Sequence, residues 1–356
     1  GIKVQSYKIG PDYIDPGYHR LASGRPAHNI DTWLMSKETM VNTFIDTAQD
    51  MDVAIIEGVM GLYDGGRGGI SSTAEIARLL QAPVILVIDC KSMGASAAAI
   101  ALGFREYAKD VNIAGVILNR LGSEHHQKMI EEAMAGIGMP VLGAVRRDNL
   151  LTMPERHLGL LPVEENQDRQ VVDAMGEAMA RQINLTSLLQ MAHNASPMAK
   201  IPSQAEEYLQ KVIVGRKRSF PDDFGKIKIG LAKDEAFSFY YPESLAVLER
   251  LGAQIVPFSP LQDRALPDVD GLLIGGGFPE MFASQLEANK SMLAAIAQAA
   301  HQGMPIFAEC GGYMYLGQCL KDFEGRIFNM TGILPQQVQM NKKLQMVGYV
   351  EAELLQ

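Results

Sequence analysis

The run Pro305-Ile306-Phe307-Ala308-Glu309-Cys310-Gly311-Gly312-Tyr313-Met314 sets one cysteine between a strand-like apolar stretch and a glycine pair that opens a helical pattern. A thiol on a strand-to-helix turn is presented at a sheet edge. Small residues are needed beside it, and the helix N-terminus is expected to lower its pKa so that thiolate is available. Upstream, Gly275-Gly276-Gly277 ends the run that passes through Ile274, and the N–H groups of Gly276 and Gly277 can form an oxyanion hole with that of Gly311. Cys310 therefore reads as a nucleophile, against the alternative of a buried packing thiol. Cys90, which ends an apolar strand, and Cys319, inside the helix expected over Tyr313 to Leu320, read as core. A thiolate mechanism also needs a histidine base. All seven histidines (His19, His28, His125, His126, His157, His193, His301) precede Cys310, and His301 suits the surface end of a helix better than catalysis. The base is expected after Gln356.

A second group of chemistry-bearing residues lies near the start of the chain. Lys8-Ile9-Gly10-Pro11-Asp12-Tyr13-Ile14-Asp15-Pro16-Gly17 follows the first strand, where ligands of open α/β sheets bind. A cation, two carboxylates three residues apart and turn-forming residues make a loop able to take metal, phosphate or a substrate cation, although an ordinary turn uses the same residue types. Glu57-Gly58-Val59-Met60-Gly61-Leu62-Tyr63-Asp64-Gly65-Gly66 ends another apolar run with an acid at its tip and glycines that admit a ligand close to the backbone. Such a carboxylate is costly unless it holds a metal, a cation or a partner; a structural salt bridge is the alternative. Asp31, in Asn29-Ile30-Asp31-Thr32-Trp33, reads equally as a second Mg²⁺ ligand and as the N-cap of the next helix. The string G-x-x-x-x-G-K-[ST], which an ATP site of the phosphate-loop kind needs, occurs nowhere in the 356 residues.

The elements that must position these residues follow from the pattern. Between residues 50 and 146, runs such as 53–56, 84–88, 113–118 and 140–145 are apolar almost without interruption. They alternate with helical stretches at about 34–50, 73–81, 94–109 and 125–137, which predicts a parallel sheet covered by helices. A single helical pattern covers 170–191. Residues 194–225, with Pro197, Pro202, Gly215, Pro221 and the basic Arg216-Lys217-Arg218, read as a linker. The basic cluster is either a contact for an acidic ligand or, more simply, a solvated face. The βαβ rhythm then restarts at Ile227, with a helix at 242–251, strands at 254–258 and 271–274, and a helix at about 284–302. The expected division is 1–193, a linker at 194–225, and 226–356.

Composition excludes several classes of function. With 32 Lys and Arg against 41 Asp and Glu, the net charge of −9 is the wrong sign for phosphate-backbone attraction, so no nucleic-acid partner is expected. No apolar run approaches the roughly 18 residues of a membrane-spanning helix. Three cysteines without a CxxC pair suit a reducing compartment, and a cytoplasmic location is expected. The chain starts at Gly1 and enters a strand at once, which suggests that an N-terminal piece precedes it.

Taken in order, Lys8 to Gly17, Arg25-Pro26 with Asn29 to Trp33, Glu57 to Gly65, the triple glycine with Pro279-Glu280, and Ala308 to Leu316 closely resemble the CbiA-type a,c-diamide synthases of the CobB/CobQ glutamine amidotransferase family. The resemblance spans nearly the whole chain. It implies a P-loop NTPase-like, dethiobiotin-synthetase-like parallel-sheet domain followed by a class I, triad-type glutamine amidotransferase α/β domain. It also implies glutamine hydrolysis at Cys310 through a thioester. ATP with Mg²⁺ would phosphorylate a carboxylate of cobyrinic acid or a related tetrapyrrole, and ammonia would displace the phosphate. By the same resemblance Asp12, Asp15, Glu57 and Asp64 serve the substrate, the intermediate and the metal. Lys8 would neutralise phosphate or carboxylate, Glu57 and Asp31 are the metal candidates, and Asn119 reads adenine. The phosphate-binding loop is then expected before Gly1 and the triad histidine after Gln356, so the stretch alone is expected to be inactive in both half-reactions. A nickel-sirohydrochlorin a,c-diamide synthase would use the same motifs. From other classes, a non-catalytic nucleotide-dependent switch fits the first half but not the cysteine elbow, and a plain thiol hydrolase leaves the acidic loops unexplained. The oligomeric state stays open, a homodimer included.

Overall fold

Strand β1 (Val4–Ile9) is buried from Gln5 to Ile9 without alternation, so it must be covered on both faces and paired on both edges. Its neighbours are β2 (His28–Ile30) and β3 (Val53–Glu57), both parallel to it, in the order β2-β1-β3. The register sets Asn29, Lys8 and Glu57 side by side in one row at the carboxyl end of the three strands. The polar residues of β1 are buried because each finds a partner: Gln5 Nε2 donates to Pro26 O at 2.7 Å, and Tyr7 Oη lies 2.8 Å from Thr47 Oγ1. Helix α1 (Asp15–Ser23) starts with a proline in its first turn and ends at Gly24, whose φ of 71° closes it. Helix α2 (Lys37–Ala48) is capped by Ser36 and α3 (Thr73–Leu79) by Ser72.

The computed structural model describes residues 1–153, 155–156, 159–165, 169–219, 227–341 and 353. The chain forms two units, Gly1–Ser203 and Gln204–Gln356. In the first, β4 (Val84–Asp89), α4 (Ser96–Tyr107), β5 (Ile113–Leu121), α5 (Glu124–Gly136) and β6 (Val141–Arg146) build a second parallel sheet in the order β4-β5-β6. The pattern over 50–146 predicted one sheet. Among the described residues the strands fall into two, because β3 pairs with β1 and not with β4. Each sheet has its own core. Tyr7, Ile9, Ile30, Met40 and Ile76 pack in one; Ile88, Val116, Leu118, Ile130 and Met134 pack in the other, where Ala74 of α3 joins them.

A short hairpin, β7 (Glu155–Arg156) with β8 (Gly159–Leu160), precedes α6 (Arg169–Ala180) and α7 (Leu185–His193). The single helix expected over 170–191 is thus two. Gln182–Asn184 extends along β6 instead, with Ala144 N donating to Gln182 O at 3.0 Å and Asn184 N to Leu142 O at 2.7 Å. The Asn184 side chain then caps α7.

The second unit opens with α8 (Gln204–Ser219), inside the stretch expected to be a linker. Its first residues, Gln-Ala-Glu-Glu-Tyr-Leu-Gln-Lys, are good helix formers, and of the prolines that suggested a linker Pro197 and Pro202 precede the helix and Pro221 follows it in the chain. Pro221 and the side chains of Arg216, Lys217 and Arg218 lie outside the described residues, as does His157.

Strands β9 (Ile227–Ala232), β10 (Ala253–Phe258), β11 (Gly271–Ile274) and β12 (Ile306–Ala308) form a parallel sheet ordered β10-β9-β11-β12. It is covered by α9 (Pro242–Arg250), α10 (Ala283–Ala288) and α11 (Lys290–His301). The helix expected at 284–302 is broken at Asn289, whose side chain accepts from Met292 N and donates to Pro260 O and Asp263 O. Helix α12 (Gly311–Leu316) ends three residues before Cys319. That cysteine starts β13 (Cys319–Lys321), which pairs with β14 (Ile327–Asn329) and β15 (Gln337–Gln339). Cys319 is therefore a half-buried strand residue and not part of a helix, while Cys90 is fully buried as expected. No helix among the described residues is long and apolar enough to cross a membrane.

Candidate active sites in the two units

At the carboxyl end of β1, Lys8 is 5% exposed, and its ammonium is enclosed by acceptors. Asp15 Oδ2 lies at 2.6 Å, the Gly58 carbonyl at 3.1 Å, Glu57 Oε1 at 3.3 Å and Asp12 Oδ2 at 3.8 Å. Three short contacts use the three donors of the ammonium. Lys8 is expected to neutralise phosphate or substrate carboxylate; its ammonium here meets the protein's own carboxylates. Asp12 Oδ1 meanwhile accepts from Ile14 N and Asp15 N, which shapes the turn into α1 and delivers Asp15 to Lys8.

The electrostatics follow from this crowding. Burial pulls the Lys8 pKa down, but the hydrogen bond to Asp15 and the charges of Glu57, Asp15 and Asp12 outweigh it, and the net direction is up. Asp15 is pushed up, first by burial and then by Asp12 and Glu57, against the pull of Lys8. Burial pushes Glu57 up as well, yet the His19 hydrogen bond and Lys8 more than offset it, and Glu57 sits below the usual carboxylate range. Three carboxylates around one ammonium leave the cluster electron-rich, so it attracts cations and repels free anions.

The other candidates of the first unit stand outside this cluster. Asp31 is fully buried; its Oδ1 accepts from Trp33 N at 2.7 Å, Leu34 N at 2.8 Å and Ser71 Oγ at 3.0 Å. It is not the N-cap of α2, a position held by Ser36. Asp31 follows β2 and Glu57 ends β3, with β1 between them. No group of three or more His, Cys, Asp or Glu side chains placed to hold a metal occurs among the described residues. Asp64 is exposed and accepts from Gly61 N at 3.2 Å, closing its own turn. Asn119 lies in the second sheet, where Oδ1 accepts from Arg120 N at 2.8 Å. The strand does not stop at Leu118 but runs on to Leu121, with Arg120 at a φ of 61°.

In the second unit Cys310 stands between β12 and α12 with φ +50° and ψ −115°, a conformation that costs a non-glycine residue energy and turns the thiol outward. Glycine is required around it. A Cβ on Gly312 would fall 2.0 Å from Ile274 O, and one on Gly277, at φ +154°, 2.1 Å from Ala236 O. The N–H groups of Gly311 and Gly277 face the sulfur closely enough to lower its pKa. The Gly276 carbonyl accepts from Ser238 N and Phe239 N at 3.1 Å each, which leaves its expected N–H role in the oxyanion hole open. Tyr240, which no motif singles out, accepts from Gly275 N at 2.9 Å and donates to Ala232 O, pinning the glycine turn to β9.

The Cys310 thiol is pushed up from its ordinary value, contrary to the expectation of a lowered one. Burial is the larger effect; the N–H groups of Gly311 and Gly277 pull it down, and Glu280 and Glu309 push it up again. The six-residue helix offers the Gly311 donor and little more, and the Gly277 donor comes from the turn after β11. Thiolate then depends on a base. His301, the histidine of the second unit, is exposed at the end of α11, in the surface position expected for it.

Comparison with known proteins defines the class from both units. Residues 1–161 match the CobQ/CobB/MinD/ParA nucleotide binding domain, and residues 228–356 match the CobB/CobQ-like glutamine amidotransferase domain. The order is that of an enzyme which couples nucleotide chemistry to glutamine hydrolysis. A cobyrinate a,c-diamide synthase of Caldanaerobacter subterraneus subsp. tengcongensis is 43% identical over 99% of this chain and 75% of its own length. That of Dehalococcoides mccartyi strain CBDB1 is 44% identical over 99% and 75%, and that of Synechocystis sp. 40% over 99% and 72%. The chain belongs to the CobB/CobQ-type cobyrinate a,c-diamide synthase family.

Proposed function

We propose that the chain amidates the a and c side-chain carboxylates of cobyrinic acid, with glutamine as nitrogen donor and ATP as the source of activation. The observation that carries this reading is the presence, in one chain of this family, of a cysteine elbow and of a carboxylate-rich cluster at the strand ends of a nucleotide-binding domain. At the elbow, the Cys310 sulfur adds to the carboxamide carbon of glutamine while the N–H groups of Gly277 and Gly311 stabilise the oxyanion. Ammonia leaves, and water hydrolyses the thioester to glutamate. In the ligase reaction a carboxylate, which has no leaving group better than oxide, takes the γ-phosphoryl of ATP to become an acyl phosphate. Ammonia then adds to the acyl carbon and phosphate departs.

Asp12, Asp15 and Glu57 cannot attract a polyanionic macrocycle directly. Their excess negative charge suits them to capture ammonium, or a cation that bridges to the substrate. Asp64 shapes the glycine loop beside them. Mg²⁺ accompanying ATP fits the donor set in a limited way: Mg²⁺ takes one or two protein carboxylates along with phosphate oxygens and waters. Glu57, with its side chain 46% exposed, would hold it, and the ion would supply neutralisation of phosphate charge. Asp31, with Oδ1 committed to the Trp33 turn, would not. Enzymes of this kind act in the cytoplasm, where ATP and reduced thiols are at hand.

Incubating the full-length protein with cobyrinic acid, ATP, Mg²⁺ and glutamine, and following products by mass, should show two successive amidations. Amidation of nickel-sirohydrochlorin with cobyrinic acid untouched would transfer the reading to the sister macrocycle. ATP turnover coupled to neither would overturn it.

A further inference from the structure

His19 is claimed by neither half-reaction described above. It lies on α1 four residues after Asp15, a spacing that puts both side chains on the face turned towards β1 and β3. Its Nε2 is 2.6 Å from Glu57 Oε2, while Lys8 Nζ is 3.3 Å from Glu57 Oε1. Glu57 is thus held by a different donor on each oxygen. An ionised carboxylate only accepts, so Nε2 must carry the hydrogen, and the ring orientation is fixed by this bond. The other ring nitrogen, Nδ1, is buried and has no hydrogen-bond partner among the described residues. Leaving a buried ring nitrogen unpartnered is costly, and a simple surface ion pair would not require it.

We propose that His19 is the positioning residue of the amide-forming site: it fixes the Glu57 carboxylate so that Oε1 stays on Lys8 and the remaining lone pairs of both oxygens point to where ammonium or a substrate-borne cation arrives. The argument rests on the reading of Glu57 as a site residue. A carboxylate has about four lone-pair sites, of which the contacts to Lys8 and His19 use two. Without His19 the Glu57 side chain, half exposed, is free to swing into solvent and leave Lys8 to Asp12 and Asp15.

The test uses the full-length protein with ammonium chloride as nitrogen donor, so that Cys310 plays no part. His19→Ala should lower kcat for amide formation about 10- to 100-fold, while the melting temperature moves by only a few degrees. His19→Gln, whose amide N–H can replace Nε2–H, should restore most of kcat. Binding of a non-hydrolysable ATP analogue, measured without Mg²⁺ so that Glu57 plays no part in it, should be the same in both variants as in the parent. An unchanged kcat in His19→Ala, or a His19→Gln no better than His19→Ala, overturns the proposal. Glu57→Gln separates the two levels. If it abolishes amidation while the His19 variants are silent, only the positioning role fails; if it too is silent, the assignment of the site fails with it.

Discussion

The Lys8 cluster and the Cys310 elbow solve the same problem, holding reactive groups at the carboxyl ends of parallel strands, with different materials. The elbow is made of backbone. Its donors are the N–H groups of Gly311 and Gly277, its shape depends on glycines where a Cβ would strike a carbonyl, and the reacting side chain is one exposed thiol. The cluster is made of side chains from three separate elements, Lys8 on β1, Asp15 and His19 on α1, and Glu57 on β3, each neutralising another. A backbone site carries little charge of its own, so burial decides the Cys310 pKa. In the side-chain site the partners decide, and they hold Lys8 charged despite burial. Removing one group should therefore silence the elbow without disturbing the fold, whereas in the cluster it should cost both function and stability.

The largest effect is expected from Cys310→Ala. Glutamine-dependent amidation should fall to background while ammonia-dependent amidation continues at the parental rate and the melting temperature is unchanged, because Cys310 is no member of the hydrophobic core of the second unit. Simultaneous loss of the ammonia-dependent reaction would show that the two sites are not chemically separable.

Lys8→Met tests the opposite side of the contrast. It removes the one ammionium-bearing group from among Asp12, Asp15 and Glu57, so unfolding in urea should show a loss on the order of 3–5 kcal/mol, accompanied by loss of ammonia-dependent amidation. Stability equal to the parent would mean that the carboxylates relax into solvent and the cluster is not the rigid unit described here.

The smallest effect concerns the elbow alone. Because the Cys310 thiol is raised, less of it is thiolate at any given pH than in a free cysteine. The rate of alkylation by iodoacetamide, which should fall on Cys310 before Cys319 and Cys90, is expected to rise with pH through a midpoint above the ordinary thiol value. A midpoint below that value would mean that the two glycine N–H groups outweigh burial after all.

Much of this arrangement is legible in the chain itself wherever a feature is continuous. The apolar runs mark β3, β4, β5 and β6, whereas β1 is buried with Gln5, Ser6 and Lys8 in it, and the elbow is visible because strand, cysteine and glycines are consecutive residues. Breaks in long helical patterns were not legible. Gln182–Asn184 leaves the helix only because the edge of β6 offers backbone partners, and Asn289 ends a helix in favour of the carbonyls of Pro260 and Asp263. The i, i+4 spacing of Asp15 and His19 was the one available hint that the histidine belongs to the site.

The sequence by itself determined the strand–turn–helix of Cys310, the glycines it needs and the presence of acids at the ends of two strands, since each is set by neighbours in the chain and by the sterics of the backbone. The tertiary structure alone decided that Lys8 pairs with Asp15 and Glu57, that Asp31 and Asp64 tie down turns, and that His19 reaches Glu57 across 38 residues of chain. Those outcomes depend on which strands pair, in what register, and on where α1 docks. Pairing and docking are settled by burial over the whole unit, and no local pattern encodes the partner of a charge.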